Sequence, residues 1–383
     1  MNQNNLDQIF QHYIDKFDYI NNTEHIEYYK WQICEEFPAR MKAALSADSE
    51  DFSKALYEAK KCTYNIIDSY TQPFSGLVDF ARPGNNPEAV RKMFMDLYEN
   101  DGGDLKVQME KIEDFFRRSN DLLDEFSPGS FLYKQNSHSV SAYLFLNDPD
   151  HHHMFKATHC RRFADCVEFY DDWGSGDSIK LDVYYRMCDE LVERIMACPE
   201  LLATSESRFD GRLKIKGGPL HPDTMKHILA FDIIYCCSTY DLFDGISYTK
   251  RNMKEKQLYL ANKKKAQDYK DALDKAKSDF DMLTEARNYF VGKVSKGDRI
   301  IHKKHGVGTI ESIDEKNIEA SFNGNKDSFG LAVCIANDII SFDFPEYAQM
   351  AEKYRPVLKR YNNIPMALER AAKDYEEFEE YLD

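Results

Sequence analysis

Residues 297–310 read GDRIIHKKHGVGTI, and this stretch decides the fold of the C-terminal part of the chain. A short β-rich run, a basic turn and two glycines flanking Val307 predict a tight corner between two strands, because glycine allows positive φ and close backbone approach. Five β-rich runs are separated by Gly, Asn and Asp, at 299–301, 308–313, 318–322, 328–333 and 339–342. Five strands in about 46 residues are typical of a small SH3-like barrel, which we expect at 297–342.

The segment before this predicted barrel has a helical period. Apolar residues recur there at a three-four spacing, at Tyr259, Ala266, Tyr269, Leu273, Ala276, Phe280, Leu283 and Phe290. A helix of about 40 residues is roughly 60 Å long. The stripe is thin and rich in alanine, which is typical of a coiled-coil arm or of a helix lying along the main body. We expect a long helical arm at 250–292, and a solvated charged face over a core seam is the plainer interpretation of the same pattern.

Residues 1–245 have mostly helical periodicity and are predicted to form a helical domain. Asn86-Pro87 is a typical helix start, and Pro222 predicts the first turn of another helix. The run 140–146 is short and apolar, so its period does not separate a strand from a buried helix. Two amphipathic helices, at 345–360 and 364–382, are expected in the C-terminal region 343–383. The predicted fold class is therefore mainly α with a small β-barrel.

Composition excludes several classes of protein. Aspartate and glutamate outnumber lysine and arginine 66 to 50, so the net charge is −16 and a chain-wide basic surface of the kind that coats nucleic acid is excluded. No run of eighteen apolar residues and no signal-like start occurs, which predicts a soluble, cytoplasmic protein with no membrane partner. Nine cysteines at irregular spacings, with no C-x-x-C pair, are expected to be reduced thiols.

No complete catalytic motif is present. The sequence lacks the phosphate-binding G-x-x-x-x-G-K-[ST] loop and the G-x-S-x-G nucleophile turn. Parts of two nuclease motifs occur at the right spacing, Glu58 with Lys60 and Arg299 with His305. The first pair needs a strand but lies in a predicted helix, and the second needs a helix but lies in the predicted barrel. We therefore assign no catalytic residue and predict no cofactor.

The most conspicuous polar cluster is Asp148-Pro149-Asp150-His151-His152-His153, followed by His159, Cys160 and Cys166. Imidazole, thiolate and carboxylate groups are ligands for zinc and similar metals. Adjacent side chains on an extended loop point in alternate directions, however, so the spacing argues against one shared ion. We predict no metal site here, and keep a metal-dependent hydrolase using the Asp148–His159 region as the alternative.

The stretch G-D-R-I-x-H-K-K-x-G-V-G-T-I at 297–310, with F-N-G-N-K at 322–326, resembles the C-terminal Tudor-like domain of UvrD/PcrA-type DNA helicases. It is similar, more loosely, to the RNA-polymerase-interacting domain of CarD-type regulators and transcription-repair coupling factors. The resemblance covers about an eighth of the chain. It implies an SH3-like barrel that serves as an interaction module for RNA polymerase or nucleic acid, without the helicase motor.

Upstream, L-F-L-N-D-P-D at 144–150 and M-F-K at 154–156 resemble helical modules found beside McrB-type restriction ATPases. The resemblance extends weakly over 70–198. It implies a bacterial restriction or anti-phage defence context.

The charge distribution is uneven along the chain. Residues 250–306 contain 16 Lys/Arg and 8 Asp/Glu, whereas the remainder is strongly acidic. We therefore expect a non-enzymatic interaction protein that docks on DNA or RNA, or on a nucleic-acid-processing complex such as RNA polymerase or a restriction ATPase. A scaffold that contacts only proteins is the other alternative. The predicted contact residues are Arg299, His302, Lys303, Lys304 and His305 on the barrel and Lys263, Lys264 and Lys265 on the arm.

Overall fold

A computed structural model describes residues 1–64, 66–67, 70–175, 178–213 and 215–382. The chain separates into two compact units, Met1–Asn252 and Met253–Asp383, which we call the N-terminal and the C-terminal unit. The structure is mainly helical and contains one five-stranded antiparallel sheet. The four-part division suggested by the sequence is finer than these two units. None of the described helices is both long and apolar enough to cross a membrane.

The N-terminal unit is built from helices around one hydrophobic core. A pair of two-residue strands, β1 (Gly174–Ser175) and β2 (Ser178–Ile179), is the small exception. The helices are α1 (Gln3–Ile20), α2 (Tyr29–Ser46), α3 (Phe52–Cys62), α4 (Pro73–Phe80), α5 (Pro87–Leu97), α6 (Leu105–Phe126), α7 (Ser137–Asn147), α8 (Ala157–Cys166), α9 (Leu181–Met196), α10 (Pro199–Glu206) and α11 (His227–Thr239).

Two of these helices begin as local sequence rules require. Asn86 caps α5, because its side-chain oxygen accepts a hydrogen bond from the backbone N–H of Ala89, and Pro87 occupies the first turn. The ambiguous run 140–146 lies within α7, which starts at a capping box formed by Asn136 and Ser139. Residues 139–146 of α7 are all buried, so this helix has no polar face to display the helical period.

The predicted helix start at Pro222 is wrong. Helix α11 begins five residues later, at His227. The carboxylate of Asp223 explains the shift, because it accepts hydrogen bonds from the backbone N–H groups of Ile228 and Leu229, at 3.0 and 2.9 Å. The carboxylate of Asp223 therefore accepts the free backbone N–H groups of the first turn of α11, and the backbone between Pro222 and His227 is not helical.

The C-terminal unit combines one long helix with the sheet and shorter helices. In order, these are α12 (Met253–Lys293), β3 (Arg299–His302), β4 (Gly306–Ile313), β5 (Asn317–Phe322), β6 (Asn325–Gly330), α13 (Leu331–Ala336), β7 (Ile340–Phe342), α14 (Tyr347–Lys359) and α15 (Asn363–Glu376), followed by a 3-10 turn at Glu379–Tyr381. Strand order is β6-β5-β4-β3-β7, and every neighbouring pair is antiparallel. The sheet is open, because β6 and β7 do not pair with each other among the described strands.

The fourth predicted strand, 328–333, is wrong in its second half. Strand β6 ends at Gly330, and the next residues form α13 instead. Five of the six residues of α13 are buried in the core beneath the sheet. A short apolar run fits either a strand or a buried helix, and tertiary burial decides between them here.

The two ends of α12 pack against different partners. Near its C-terminal end, Leu283, Ala286 and Phe290 join the core that includes the inner face of the sheet and α14. Nearer its N-terminal end, Tyr269 contacts Phe378 and Tyr259 contacts Tyr381, with ring centroids 5.5 and 5.6 Å apart. The long helix is therefore lined by the C-terminal segment and is not a bare arm.

Candidate functional site

The hairpin between β3 and β4 carries most of the predicted contact residues. His302 is buried at its base, and its Nδ1 accepts hydrogen bonds from the backbone N–H groups of Lys304 and His305, both at 3.1 Å. Gly306 closes the turn with a φ of +76°. Desolvation, together with the neighbouring His305, lowers the pKa of His302, which keeps Nδ1 free to accept. His302 is thus a residue that builds the turn and is not on the surface.

The other predicted residues of the hairpin are at the surface. Lys303, Lys304 and His305 form its tip, which we call the hairpin tip. His305 faces Asp327 at 3.9 Å between Nδ1 and Oδ2, and Arg299 faces Asp343 at 3.5 Å between Nη1 and Oδ2. Within the described part of the chain, Lys303 and Lys304 are therefore the exposed cations of the tip with the fewest competing charges.

Sequence reasoning missed the apolar part of this hairpin. Ile301 on β3 and Val307 on β4 are register partners, and they are 40% and 53% exposed. Arg299 and Thr309 are the next outward pair on the same face, and we call these four residues the hairpin face. The exposure of Ile301 could have been predicted from the sequence. Side chains alternate along a strand, so a buried Ile300 places the side chain of Ile301 on the outer face.

A close backbone approach holds the inner side of the hairpin. A Cβ atom on Gly308 would lie 2.5 Å from Cδ1 of Phe322 and 2.8 Å from the carbonyl oxygen of Ser321. Strand β4 therefore needs glycine here so that Phe322 can cover it. The result is a fixed platform beneath the exposed Ile301–Val307 pair.

The three predicted lysines of the helix lie elsewhere. Lys263, Lys264 and Lys265 are on α12, and roughly 40 Å of helix separates Lys265 from Lys293, where the sheet end of the unit begins. The ammonium of Lys265 lies over the ring of Phe378, 5.5 Å from its centroid, in the acidic C-terminal segment. The structure does not bring the two predicted lysine groups together.

The consecutive histidines of the N-terminal unit contact three different partners. His151 Nδ1 lies 2.9 Å from Asp148, His152 Nδ1 lies 2.7 Å from Gln108, and His153 Nε2 lies 2.8 Å from Asp189. The hydrogen bond to Asp148 raises the pKa of His151, whereas burial lowers the pKa of His152 to about 4. The three side chains point to different partners because successive side chains alternate along an extended loop.

The remaining residues of the predicted cluster do not converge either. The ring of His159 stacks on Tyr235 at 4.9 Å, and Cys160 is buried beside the hydroxyl of Tyr184. Among the residues that the structure describes, His153 alone of this cluster belongs to a group of three ligand-type side chains, together with Asp189 on α9 and His227 at the start of α11. Asp189 and His227 were not singled out from the sequence, because they are distant along the chain and carry no spacing signal.

A second polar cluster lies in the core of the N-terminal unit. Lys30 pairs with Asp232 and with Glu27, and Arg208 pairs with Asp232 at 3.3 Å. Tyr13 donates a hydrogen bond to Asp232 and accepts one from Arg208. We call these five residues the buried ion network, and each of them is at most 4% exposed.

Electrostatics holds this network in its charged form. Desolvation acts against the ammonium of Lys30, but Asp232 and Glu27 oppose it, and the pKa of Lys30 is raised. Burial also raises the pKa of Tyr13, so its hydroxyl keeps the proton that it donates. The network is enclosed in the core and joins Tyr13 of α1, Lys30 of α2 and Asp232 of α11.

Comparison of the chain with known protein families, with characterised proteins and with solved structures finds no match. The geometry of the described residues therefore provides the basis for assigning a function. Two places combine accessible chemistry with a fixed framework: the hairpin of the C-terminal unit, and the group formed by His153, Asp189 and His227.

Proposed function

We propose that this chain is a non-enzymatic interaction protein whose C-terminal unit docks on a protein of a nucleic-acid-processing complex. The exposed Ile301–Val307 pair, bordered by Lys303 and Lys304, is the observation that carries the proposal. Protein interfaces typically have an apolar centre inside a polar rim, and the hairpin has both within one turn. Complete burial of each of the two side chains contributes about 1 kcal/mol, because each is already half covered.

The charge of the sheet region favours a protein over a nucleic acid. Between Lys296 and Asp343 eight acidic side chains accompany six basic ones, so this region is not basic as a whole. Arg299 and His305 already face carboxylates, and Lys263–Lys265 lie at the other end of the helix. Two exposed lysines make few phosphate contacts, and affinity for nucleic acid depends on the number of such contacts. They suit the acidic rim of a protein surface.

The finer fold is also part of this proposal. We infer that strands β3 to β7 form an SH3-like, Tudor-like module. The irregular register between Ile310 and Ser312 supports this, because a bulge in a strand bends the sheet. The resemblance to helicase and CarD-type domains points to RNA polymerase or a similar complex as the partner. The resemblance at 70–198 points to a restriction or anti-phage context. We place the protein in the cytoplasm, where such complexes act.

Site-specific photo-crosslinking in producing cells tests the proposal. A photoreactive amino acid replaces Val307 in the full chain, and the same amino acid replaces Leu258, which is 62% exposed on α12, as the matched control. We expect a protein adduct at Val307 that resists nuclease, is absent at Leu258, and disappears when Lys303→Glu and Lys304→Glu are added.

The nature of the adduct decides among the alternatives. A nuclease-sensitive adduct at Val307 would mean direct docking on nucleic acid and would overturn the proposal. A protein from outside any nucleic-acid complex would favour the protein-only scaffold. Equal adducts at Val307 and Leu258, or none at Val307, would remove the hairpin as the docking surface.

A further inference from the structure

Three segments of the N-terminal unit bring their polar side chains to one point. His153 follows α7 in a loop, Asp189 lies in α9, and His227 is the first residue of α11. One ligand-type atom from each of the three lies within 4.8 Å of the other two. The imidazole rings of His153 and His227 are 4.0 Å apart between centroids and tilted by 37°. Both histidines are buried, whereas the side chain of Asp189 is 61% exposed.

Two imidazoles and one carboxylate are a typical ligand set for a divalent transition metal. Zinc binds histidine nitrogen at about 2.0–2.1 Å and carboxylate oxygen at about 2.0–2.2 Å, so tetrahedral ligand atoms are about 3.3 Å apart. His153 Nε2 and Asp189 Oδ1 are already 2.8 Å apart. The ligand atoms of the group lie up to 4.8 Å apart, so the ring of His227 must move closer to the other two when an ion binds. Three protein ligands leave the fourth position of a tetrahedral ion to a water molecule.

A neighbouring backbone group orients the second imidazole. His227 Nδ1 lies 3.2 Å from the carbonyl oxygen of His152. Because a carbonyl oxygen can only accept, Nδ1 donates to His152, and a neutral ring then has its lone pair on Nε2; the backbone of Pro149 is a second polar group beside this ring. Histidine ligands of metals commonly donate their other ring N–H to a backbone carbonyl in this way.

We propose that His153, Asp189 and His227 form a binding site for a zinc-class divalent cation. The ion takes the place of the proton between His153 and Asp189 and connects the loop, α9 and α11. The site differs from the cluster predicted from the sequence, since it shares only His153 with that cluster. It is independent of the docking proposal, because all three ligands belong to the N-terminal unit.

Titration of the metal-free full-length protein with Zn²⁺ and Co²⁺ tests this inference. We expect one equivalent of tightly bound ion, intense Co²⁺ d–d bands typical of low coordination number, and a rise in the Tm of the transition followed by tryptophan fluorescence. Both tryptophans, Trp31 and Trp173, lie in the N-terminal unit, so this signal reports on that unit alone. Binding to the folded state raises stability in proportion to RT ln(1 + [L]/Kd).

Asp189→Asn is the informative variant, because the side chain is exposed and its replacement leaves the core unchanged. We expect it to weaken Zn²⁺ binding by at least about 100-fold, because loss of a ligand costs more than the about 10- to 100-fold lost with a hydrogen-bond partner of a ligand. Asp148→Asn is the matched control, since Asp148 is an exposed carboxylate paired with a neighbouring histidine, His151. It should bind Zn²⁺ like the wild type.

Three results would overturn the inference. These are no stoichiometric Zn²⁺ or Co²⁺ binding, unchanged binding by Asp189→Asn, and loss of binding in Asp148→Asn in place of Asp189→Asn. In the first two cases the His153–Asp189 hydrogen bond and the contact between the two tilted imidazole rings simply hold the loop against the helices. In the third, the ion belongs to the loop itself.

Discussion

The N-terminal unit encloses a charged network in its core in addition to surface ion pairs such as Arg40 with Glu36. In the N-terminal unit, Lys30, Arg208 and Asp232 are enclosed in the core. In the C-terminal unit the corresponding pairs lie at the surface, such as Arg360 with Asp279 at 2.9 and 3.0 Å. Polar groups inside a core fix one arrangement of helices, whereas polar groups outside remain available to a partner. The N-terminal unit therefore has a charged core, whereas the C-terminal unit keeps such pairs at its surface, where we propose that the partner docks.

The largest expected effect comes from breaking the buried ion network. Asp232→Ala leaves Lys30 and Arg208 with an uncompensated positive charge in the core, which destabilises a protein by about 3–5 kcal/mol. Asp279→Ala removes the surface partner of Arg360 and is expected to lose less than about 1 kcal/mol. Urea unfolding measures the loss of unfolding free energy in each variant. It is followed by tryptophan fluorescence for Asp232→Ala and by far-UV circular dichroism for Asp279→Ala.

This pair of variants also tests the comparison itself. Equal losses in the two variants would mean that burial does not distinguish the two units. A negligible loss in Asp232→Ala would show that the network is dispensable and that the apolar core alone holds α1, α2 and α11 together.

Acid should destabilise the N-terminal unit first. Burial lowers the pKa of His159 to about 4. An unfolded histidine has a pKa near 6.5, so between pH 6.5 and 4 the unfolded state binds more protons than the folded state. Stability contributed by the neutral imidazole is therefore complete above pH 6.5 and decreases as the pH falls towards 4.

Urea midpoints at pH 7.5, 5.5 and 4.5, measured with a chelator present, check this expectation. The urea midpoint followed by tryptophan fluorescence should fall at each step to lower pH. It should fall more steeply than the urea midpoint of the transition that circular dichroism assigns to the rest of the protein. A flat fluorescence midpoint, or an earlier loss of the C-terminal unit, would contradict it.

A smaller effect is expected at the hairpin of the C-terminal unit, where the buried His302 holds the turn. His302→Ala removes the acceptor of two backbone N–H groups and should cost about 2–3 kcal/mol. His302→Asn keeps an acceptor oxygen near the same place and should restore most of this loss.

Amide hydrogen exchange at Lys304 and His305 provides the readout. Exchange at both amides should accelerate in His302→Ala and return towards the wild type in His302→Asn. The wild type should also lose protection below pH 6.5, because the pKa of His302 is lowered in the fold and protonation of Nδ1 removes the acceptor. Equal protection in the Ala and Asn variants would exclude this role of the ring.

Local patterns predicted the C-terminal unit better than the N-terminal site. The helix at Met253–Lys293 and the strands of the sheet follow from spacing within short windows. The boundary between β6 and α13 could not be predicted, since Leu331–Ala336 is apolar and its burial depends on the rest of the fold. Contacts such as Asp189 with His153 and Asp232 with Lys30 join distant positions, which a single sequence does not reveal.

We propose that the partner binds the hairpin and not the helix lysines. The affinity of the protein captured at Val307 decides between them when it is measured for three forms of the full chain: wild type, Val307→Asp, and the triple variant Lys263→Glu, Lys264→Glu, Lys265→Glu. We predict that Val307→Asp weakens binding at least about tenfold, or about 1.4 kcal/mol, and that the triple variant stays within about twofold of the wild type. Loss of binding in the triple variant with normal binding by Val307→Asp would contradict the account.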